Sequence, residues 1–232
     1  MANDYVAVVY AEQRTPKTDY PLRLASYLFK RYGMKAGDKL LEIGCGRGEF
    51  VTAFQDLGLE CHAVERSEYS LRELKHIEIK KADISKERLP YDDNVFDIVY
   101  HKSLIEHLYN PENLMKETLR VLKPGGRVII LTPDWASQMK VFYEDFTHSK
   151  PYDVTSIADL LRVCGFAQAE AELFYQLPVL WRYAILKVFC KLLQILFSVP
   201  IASKFTKITG IKFFRWSVEL MVLGSGIKTG VK

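Results

Sequence analysis

Glu42, Gly44, Gly46 and Gly48 stand two apart, and this spacing is the first feature of the chain that could do chemistry. They close a short apolar run, Leu40 to Ile43, that reads as a buried strand interrupted only by Glu42. After them Phe50, Val51, Ala53, Phe54 and Leu57 recur at helical spacing. Strand, glycine turn and helix form the layout of a nucleotide site: glycine backbone allows close approach, and a helix N-terminus faces the ligand. A dinucleotide fingerprint needs its third glycine at position 49, where this chain has Glu49. A second strand, Glu60 to Glu65, ends on an acid 21 positions after Gly44. An acid at that place can accept both hydroxyls of a ribose.

The elements that must position these residues follow from periodicity. Leu22, Leu24, Ala25, Leu28 and Phe29 mark one face of a helix that starts at Pro21 and stops at Gly33. A helix beginning near Ser67 leads to a third strand around Ile77–Lys80, and Phe96 to Tyr100 reads as a fourth. Asn113 to Leu122 is amphipathic, the turn Leu122-Lys123-Pro124-Gly125-Gly126 follows, and Arg127–Leu131 is a fifth strand. A helix through Ile157, Leu160 and Leu161 is capped by Gly165, before a sixth strand at Ala169–Tyr175 and a seventh at Val218–Leu223.

A chain of 232 residues, 49% hydrophobic and 26% charged, is long enough for a full core and is not of disordered composition. Its four cysteines, Cys45, Cys61, Cys164 and Cys190, are scattered without C-x-x-C or metal spacing, so buried reduced thiols in a cytoplasm are expected. The first residues lack a basic leader, and no secretory signal is expected. The net charge of +4 is uneven: from Leu177 onward nine Lys and Arg face one acid, Glu219. The rest of the chain holds 23 basic and 27 acidic residues.

With E-x-G-x-G-x-G at the end of its first strand, the chain resembles the class I S-adenosylmethionine-dependent methyltransferases. The likeness continues through Lys81-Ala82-Asp83-Ile84, the EH pair in His101 to Leu108, and L-K-P-G-G before the fifth strand. The phrase Asp145-x-Thr147-His148-x-x-Pro151-Tyr152 is similar to a glycan- and small-molecule-tailoring subset. The resemblance implies an α/β, Rossmann-like sheet of seven mostly parallel strands with an antiparallel seventh and helices on both faces. It also implies S-adenosylmethionine as cofactor and S-adenosylhomocysteine as product. Gly44, Gly46 and Gly48 are then expected at the methionine end, Glu65 at the ribose, and Asp83 with Ile84 at the adenine. Glu42, Cys45, Arg66, His101 and Ser103 complete the cofactor set it implies.

Transfer of a methyl group to a hydroxyl requires removal of a proton, and histidine suits that role near neutral pH. Of the five histidines, His62 lies within the second strand and His76 precedes the third; both read as structural. His107 and His148 follow strands four and five, at the sheet edge where ligands bind, and are the candidate bases. Glu106 and His107 alone are two adjacent residues and do not make a metal site, so none is predicted.

The family core needs a short connection between its last two strands, but here about forty residues intervene. The expected layout is a single domain: an N-terminal helical cap (1–37), a cofactor-binding core (38–176), a basic amphipathic helical insertion (177–217) and a last strand with tail (218–232). Leu177 to Phe197 reads as one long helix with Lys187, Lys191 and Gln194 on one stripe and an apolar remainder. Its cations make a spanning helix costly, and the pattern suits a helix lying in a membrane interface, or a lid or homodimer element. Nucleic acid is disfavoured because the apolar width does not suit a groove. The acceptor expected is a sugar or lipid-linked glycan methylated on oxygen, with a prenylated quinone or phenol as alternative. A non-catalytic cofactor-binding partner is the alternative of another class. The expected location is the cytoplasm or the inner face of its membrane.

Overall fold

The computed structural model describes residues 4–13 and 15–230. In chain order the elements are α1 (Tyr5–Val9), α2 (Tyr20–Arg31), β1 (Lys39–Ile43), α3 (Glu49–Asp56), β2 (Glu60–Glu65), α4 (Glu68–Glu73), β3 (Glu78–Lys81), β4 (Phe96–Lys102), α5 (Glu112–Val121) and β5 (Leu122–Pro133). They continue with α6 (Trp135–Gln138), α7 (Val154–Val163), β6 (Ala167–Phe174), α8 (Pro178–Arg182), α9 (Lys187–Leu196), α10 (Val199–Thr209), α11 (Phe213–Val218) and β7 (Met221–Ile227). The strands form one mostly parallel sheet in the order β3-β2-β1-β4-β5-β7-β6, with β7 antiparallel, as the resemblance implied.

Two compact units share this chain. The first comprises Met1–His101, Asn110–Ile129 and Ile227–Lys232; the second comprises Lys102–Tyr109 and Ile130–Gly226. In the first, β1 pairs in parallel with β2 on one side and β4 on the other, so Leu41 lies between His62 and Val99. Leu40, Leu41, Ile43, Val51, Phe54 and Val99 are all but sealed from solvent, and each such side chain contributes about 1.5–3 kcal/mol by leaving water. The Phe54 and Tyr100 rings meet edge to face at 5.2 Å.

In the second unit, α7 packs where β7 carries Gly224: a Cβ there would stand 2.4 Å from Ile157 Cγ2, so only glycine admits the helix this closely. α7 begins on a reciprocal cap, with Asp153 accepting from the Ser156 amide and Ser156 Oγ accepting from the Asp153 amide.

Three expectations about elements need correction. Leu122 to Gly126 is part of β5 rather than a separate turn, since the Gly125 amide donates to Lys228 O and the Lys228 amide to Gly126 O. β7 begins at Met221, because Val218 still closes α11. The long helix from Leu177 is instead α8, a 3-10 turn at Ala184–Leu186 and α9, followed by α10 and α11. α9 ends at Leu196 and α10 starts anew from Ser198, with Pro200 in its first turn, where its missing amide hydrogen costs nothing. Cys190, Leu180, Tyr175 and Leu220 form the buried seat of this insertion, with Phe213 and Trp216 against them.

Candidate active site

The loop after β1 is built on left-handed backbone: Gly44, Gly46 and Gly48 have φ of +73°, +53° and +73°. Side chains there would be strained, which is why the three positions are glycine. The loop is closed by the Gly44 amide on Val64 O (2.8 Å) and the Gly48 amide on Cys45 O (2.8 Å). Cys45 itself is buried; that burial first, and then the charges of Glu42 and Glu65, push its thiol far up and leave it without thiolate character. Glu42 is buried within β1.

Glu65 ends β2 with its carboxylate fixed by three amides. Oε2 accepts from Gly46 N at 2.8 Å, and Oε1 from Arg66 N at 2.8 Å and Ser67 N at 3.1 Å. The acid and the glycine loop are therefore one hydrogen-bonded piece. Asp83 follows β3, and its Oδ1 accepts from the Ser85 hydroxyl (2.6 Å) and amide (3.1 Å). The Ser85 hydroxyl bond leads the causes that hold the Asp83 carboxyl below its ordinary range, against some burial. Ile84 is buried, with its carbonyl accepting from Asn113 Nδ2 at 2.8 Å. His101 is fully buried in β4, which drives its imidazole down to about 3 and keeps it neutral. Ser103 takes a left-handed φ of +52° just beyond the strand.

Sequence reasoning missed two residues that tie the N-terminal segment to this loop. Arg47 donates through Nη1 to Tyr10 O (2.9 Å) and Thr15 O (2.7 Å) while its Nη2 pairs with Glu49 (2.6 Å). Asp4 accepts from Ser67 Oγ at 2.8 Å and from the first amides of α1. Arg47 lies at a variable position of the glycine motif and Asp4 in no recognisable spacing, so only the folded chain reveals their bonds.

In the second unit the two candidate bases come together. His107 closes a 3-10 turn, Ile105–His107, and its ring meets that of His148 edge to face with centres 4.8 Å apart. The loop carrying His148 is drawn in by the Glu106 carbonyl, which accepts from Ser149 N (2.8 Å), Lys150 N (3.1 Å) and Ser149 Oγ (3.2 Å). Donor accounting assigns both tautomers. Phe142 O can only accept, so His148 carries its hydrogen on Nδ1 at 2.6 Å. Thr147 gives its single hydroxyl hydrogen to Asp145 Oδ1 at 2.6 Å, so it accepts from His107 Nδ1–H at 2.8 Å. In the neutral form of either ring the lone pair is therefore on Nε2. Glu106 is fully buried, Oε2 accepts from Thr132 Oγ1 at 2.9 Å, and burial above all pushes its carboxyl up to about 7. Asp145 and Thr147 lie in the phrase read as a family mark, but nothing in their spacing announced this relay.

Residues 41–130 match the family model described as a methyltransferase domain. Over that stretch the chain is similar to a methyltransferase domain, in keeping with its resemblance to the class I S-adenosylmethionine-dependent methyltransferases. It is 28% identical over 158 residues to phosphoethanolamine N-methyltransferase 3 of Arabidopsis thaliana, a match that covers 60% of this chain and 31% of that protein. It is 26% identical over 171 residues to the sterol 24-C-methyltransferase of Schizosaccharomyces pombe, covering 65% of this chain and 43% of the relative. The chain thus spans less than half the length of both. Among solved structures, phosphoethanolamine N-methyltransferase 2 of Haemonchus contortus, bound to S-adenosyl-L-methionine, superposes with a TM-score of 0.65 at 18% identity, over 96% of this chain and 58% of that one.

A methyltransferase domain of this kind implies S-adenosylmethionine as cofactor and S-adenosylhomocysteine as product. The residues present fit it. A Cβ at Gly46 would meet nothing within 4 Å, so the middle of the loop is open to a ligand, and Glu65 is a carboxylate of fixed orientation at the place where ribose hydroxyls are read.

Proposed function

We propose that this chain is an S-adenosylmethionine-dependent methyltransferase that acts on a hydroxyl of an amphiphilic acceptor, such as a lipid-linked sugar. Gly44, Gly46 and Gly48 hold the methionine end of the cofactor, Glu65 the ribose, and Asp83 with Ile84 the adenine. Glu42, Cys45, Arg66 and His101 belong to the same set, and Ser103 is assigned to the cofactor by the resemblance alone. Bound S-adenosylmethionine supplies a methyl group made electrophilic by its sulfonium. The chain contributes alignment and a proton acceptor. His148 takes the acceptor's hydroxyl proton on Nε2 while Phe142 O holds its Nδ1–H and steadies the imidazolium that forms. His107, oriented through Thr147 and Asp145, is the neighbouring acceptor for the same proton.

The single observation that supports hydroxyl transfer is this tautomer assignment: two imidazoles side by side, each with Nδ1 committed to an acceptor and Nε2 in the basic form. An amine acceptor is the second reading, favoured by the phosphoethanolamine relatives. A phenol or quinone would use the same base.

The lipid part of the reading is supported by the insertion. Ile185, Ile195, Leu196 and Ile208 are each more than two-thirds exposed, beside the exposed Lys187, Lys191, Lys204 and Lys207. Among the described residues no single helix is long and apolar enough to cross a membrane; Ala184–Leu196 and Val199–Thr209 meet at 106°. Apolar side chains with flanking cations suit a bent pair lying in an anionic membrane interface. The test is turnover: S-adenosylhomocysteine formation is followed with lipid-linked sugars, prenylated phenols and phosphoethanolamine as acceptors. Methylated oxygen on the lipid-linked sugar supports the reading. Exclusive methylation of phosphoethanolamine nitrogen replaces it with the second.

A further inference from the structure

Three potential ligands for one ion converge in the second unit. Glu106, His107 and His148 offer a carboxylate oxygen and two imidazole nitrogens, all within 4.8 Å of one another. The acid is fully buried, and its Oε1 has no hydrogen-bond partner among the described residues, although Oε2 is held by Thr132. A buried carboxylate oxygen left in this way is costly, unless something else satisfies it. Both imidazoles also have the outer partners that metal-binding histidines require: His148 gives its Nδ1–H to a backbone carbonyl, and His107 gives its own to a hydroxyl that is itself anchored on Asp145. Each partner turns Nε2 into the coordinating atom and fixes the ring.

We infer that Glu106, His107 and His148 bind a divalent transition-metal cation of the zinc type. Two imidazoles and one carboxylate are a borderline-soft donor set suited to such an ion, and not the all-oxygen shell that magnesium or calcium prefers. Three protein ligands leave a fourth position for an exogenous oxygen, the arrangement of catalytic rather than structural zinc. Ligands at about 2.1 Å in a tetrahedron stand about 3.4 Å apart, so the cluster closes by a side-chain movement of the order of one ångström. The backbone bonds from Ser149 and Lys150 to Glu106 O already hold the two segments together, so this contraction needs no refolding. Binding of the cation does not depend on the acceptor proposed above. Its use does rest on that reading: an acceptor hydroxyl at the fourth position would give up its proton to bulk water more readily beside the cation, and the oxygen left behind would take the methyl group. With the cation bound His148 would serve as a ligand; the role as base given above is that of the metal-free protein.

The experiment titrates untagged, chelator-stripped protein with Zn2+ alone by calorimetry, and with Co2+ alone by visible absorption, in the absence of cofactor and acceptor. One equivalent of Zn2+ is expected, with binding weakened more than tenfold in His107→Ala and in His148→Ala, and by about tenfold in Thr147→Val, which keeps every ligand but loosens His107. Co2+ should show ligand-field bands without a sulfur-to-cobalt charge-transfer band. The inference is overturned if the wild type takes up no Zn2+, if both histidine variants bind as the wild type does, or if the cobalt spectrum reports cysteine ligation. Because no turnover is read, failure here leaves the acceptor reading standing, and failure to methylate a hydroxyl leaves the metal site standing.

Discussion

The His107 and His148 rings lie edge to face with centres 4.8 Å apart, although one sits in the turn after β4 and the other well beyond β5. The Glu106 backbone oxygen brings them there by collecting the amides of Ser149 and Lys150. One carbonyl thus converts two separate histidines into a pair.

If that pair removes the acceptor's proton, His148→Ala lowers turnover by roughly a hundredfold or more, the usual contribution of a positioned base. Cofactor affinity should be unchanged, because His148 takes no part in the glycine loop or its acids. Measuring S-adenosylhomocysteine release alongside calorimetry of S-adenosylmethionine binding separates the two effects. A variant with wild-type turnover would remove His148 from the chemistry.

Asp83→Ala should weaken S-adenosylmethionine binding by about 1–3 kcal/mol, the cost of losing a charge-assisted hydrogen bond to a ligand. The same change deletes the acceptor for Ser85, so thermal stability is measured in parallel. Loss of stability with intact affinity would make Asp83 a turn residue only.

The insertion gives a prediction about membranes. Lys187→Glu with Lys191→Glu, or Lys204→Glu with Lys207→Glu, should release the protein from anionic vesicles, since each cation near such a surface contributes about 1 kcal/mol. The second pair is the cleaner test, because Lys187 Nζ also lies 6.0 Å from the Tyr175 ring centre. Sedimentation with vesicles, repeated at about 0.5 M salt, where the screening length falls to a few ångströms, reads out the charge contribution. Wild-type protein that never sediments would leave the apolar face to a protein partner.

Acid should loosen the start of α7. The Ser156 amide leads the bonds that hold the Asp153 carboxyl below its ordinary 3.8, so the cap's contribution is complete above that value and fades as pH falls through the lower folded value. Asp153→Ala should cost about 1 kcal/mol near pH 6, read as a shift in urea midpoint. Near pH 3 the gap between variant and wild type should narrow; an unchanged gap would mean that the neutral side chain caps equally well.

The sequence by itself determined whatever depends on neighbours along the chain. The run Leu40–Ile43, the alternate glycines and the helical recurrence after Phe50 specified β1, its loop and α3, because apolar periodicity and φ > 0 are local demands. Glu65 was legible for a related reason: one strand-helix-strand unit fixes how far along the chain an acid at the end of β2 must fall. Tertiary structure alone decided the rest. Nothing in the order of residues says that Ser149 will find the Glu106 carbonyl, and so nothing says that a third ligand joins Glu106 and His107. The insertion shows the same limit. Its composition allowed one long helix, but the chain after Leu177 instead breaks into short helices around the shared seat of Cys190, Leu180 and Leu220. Periodicity records which residues are apolar, whereas their packing partners are chosen only when the chain has folded.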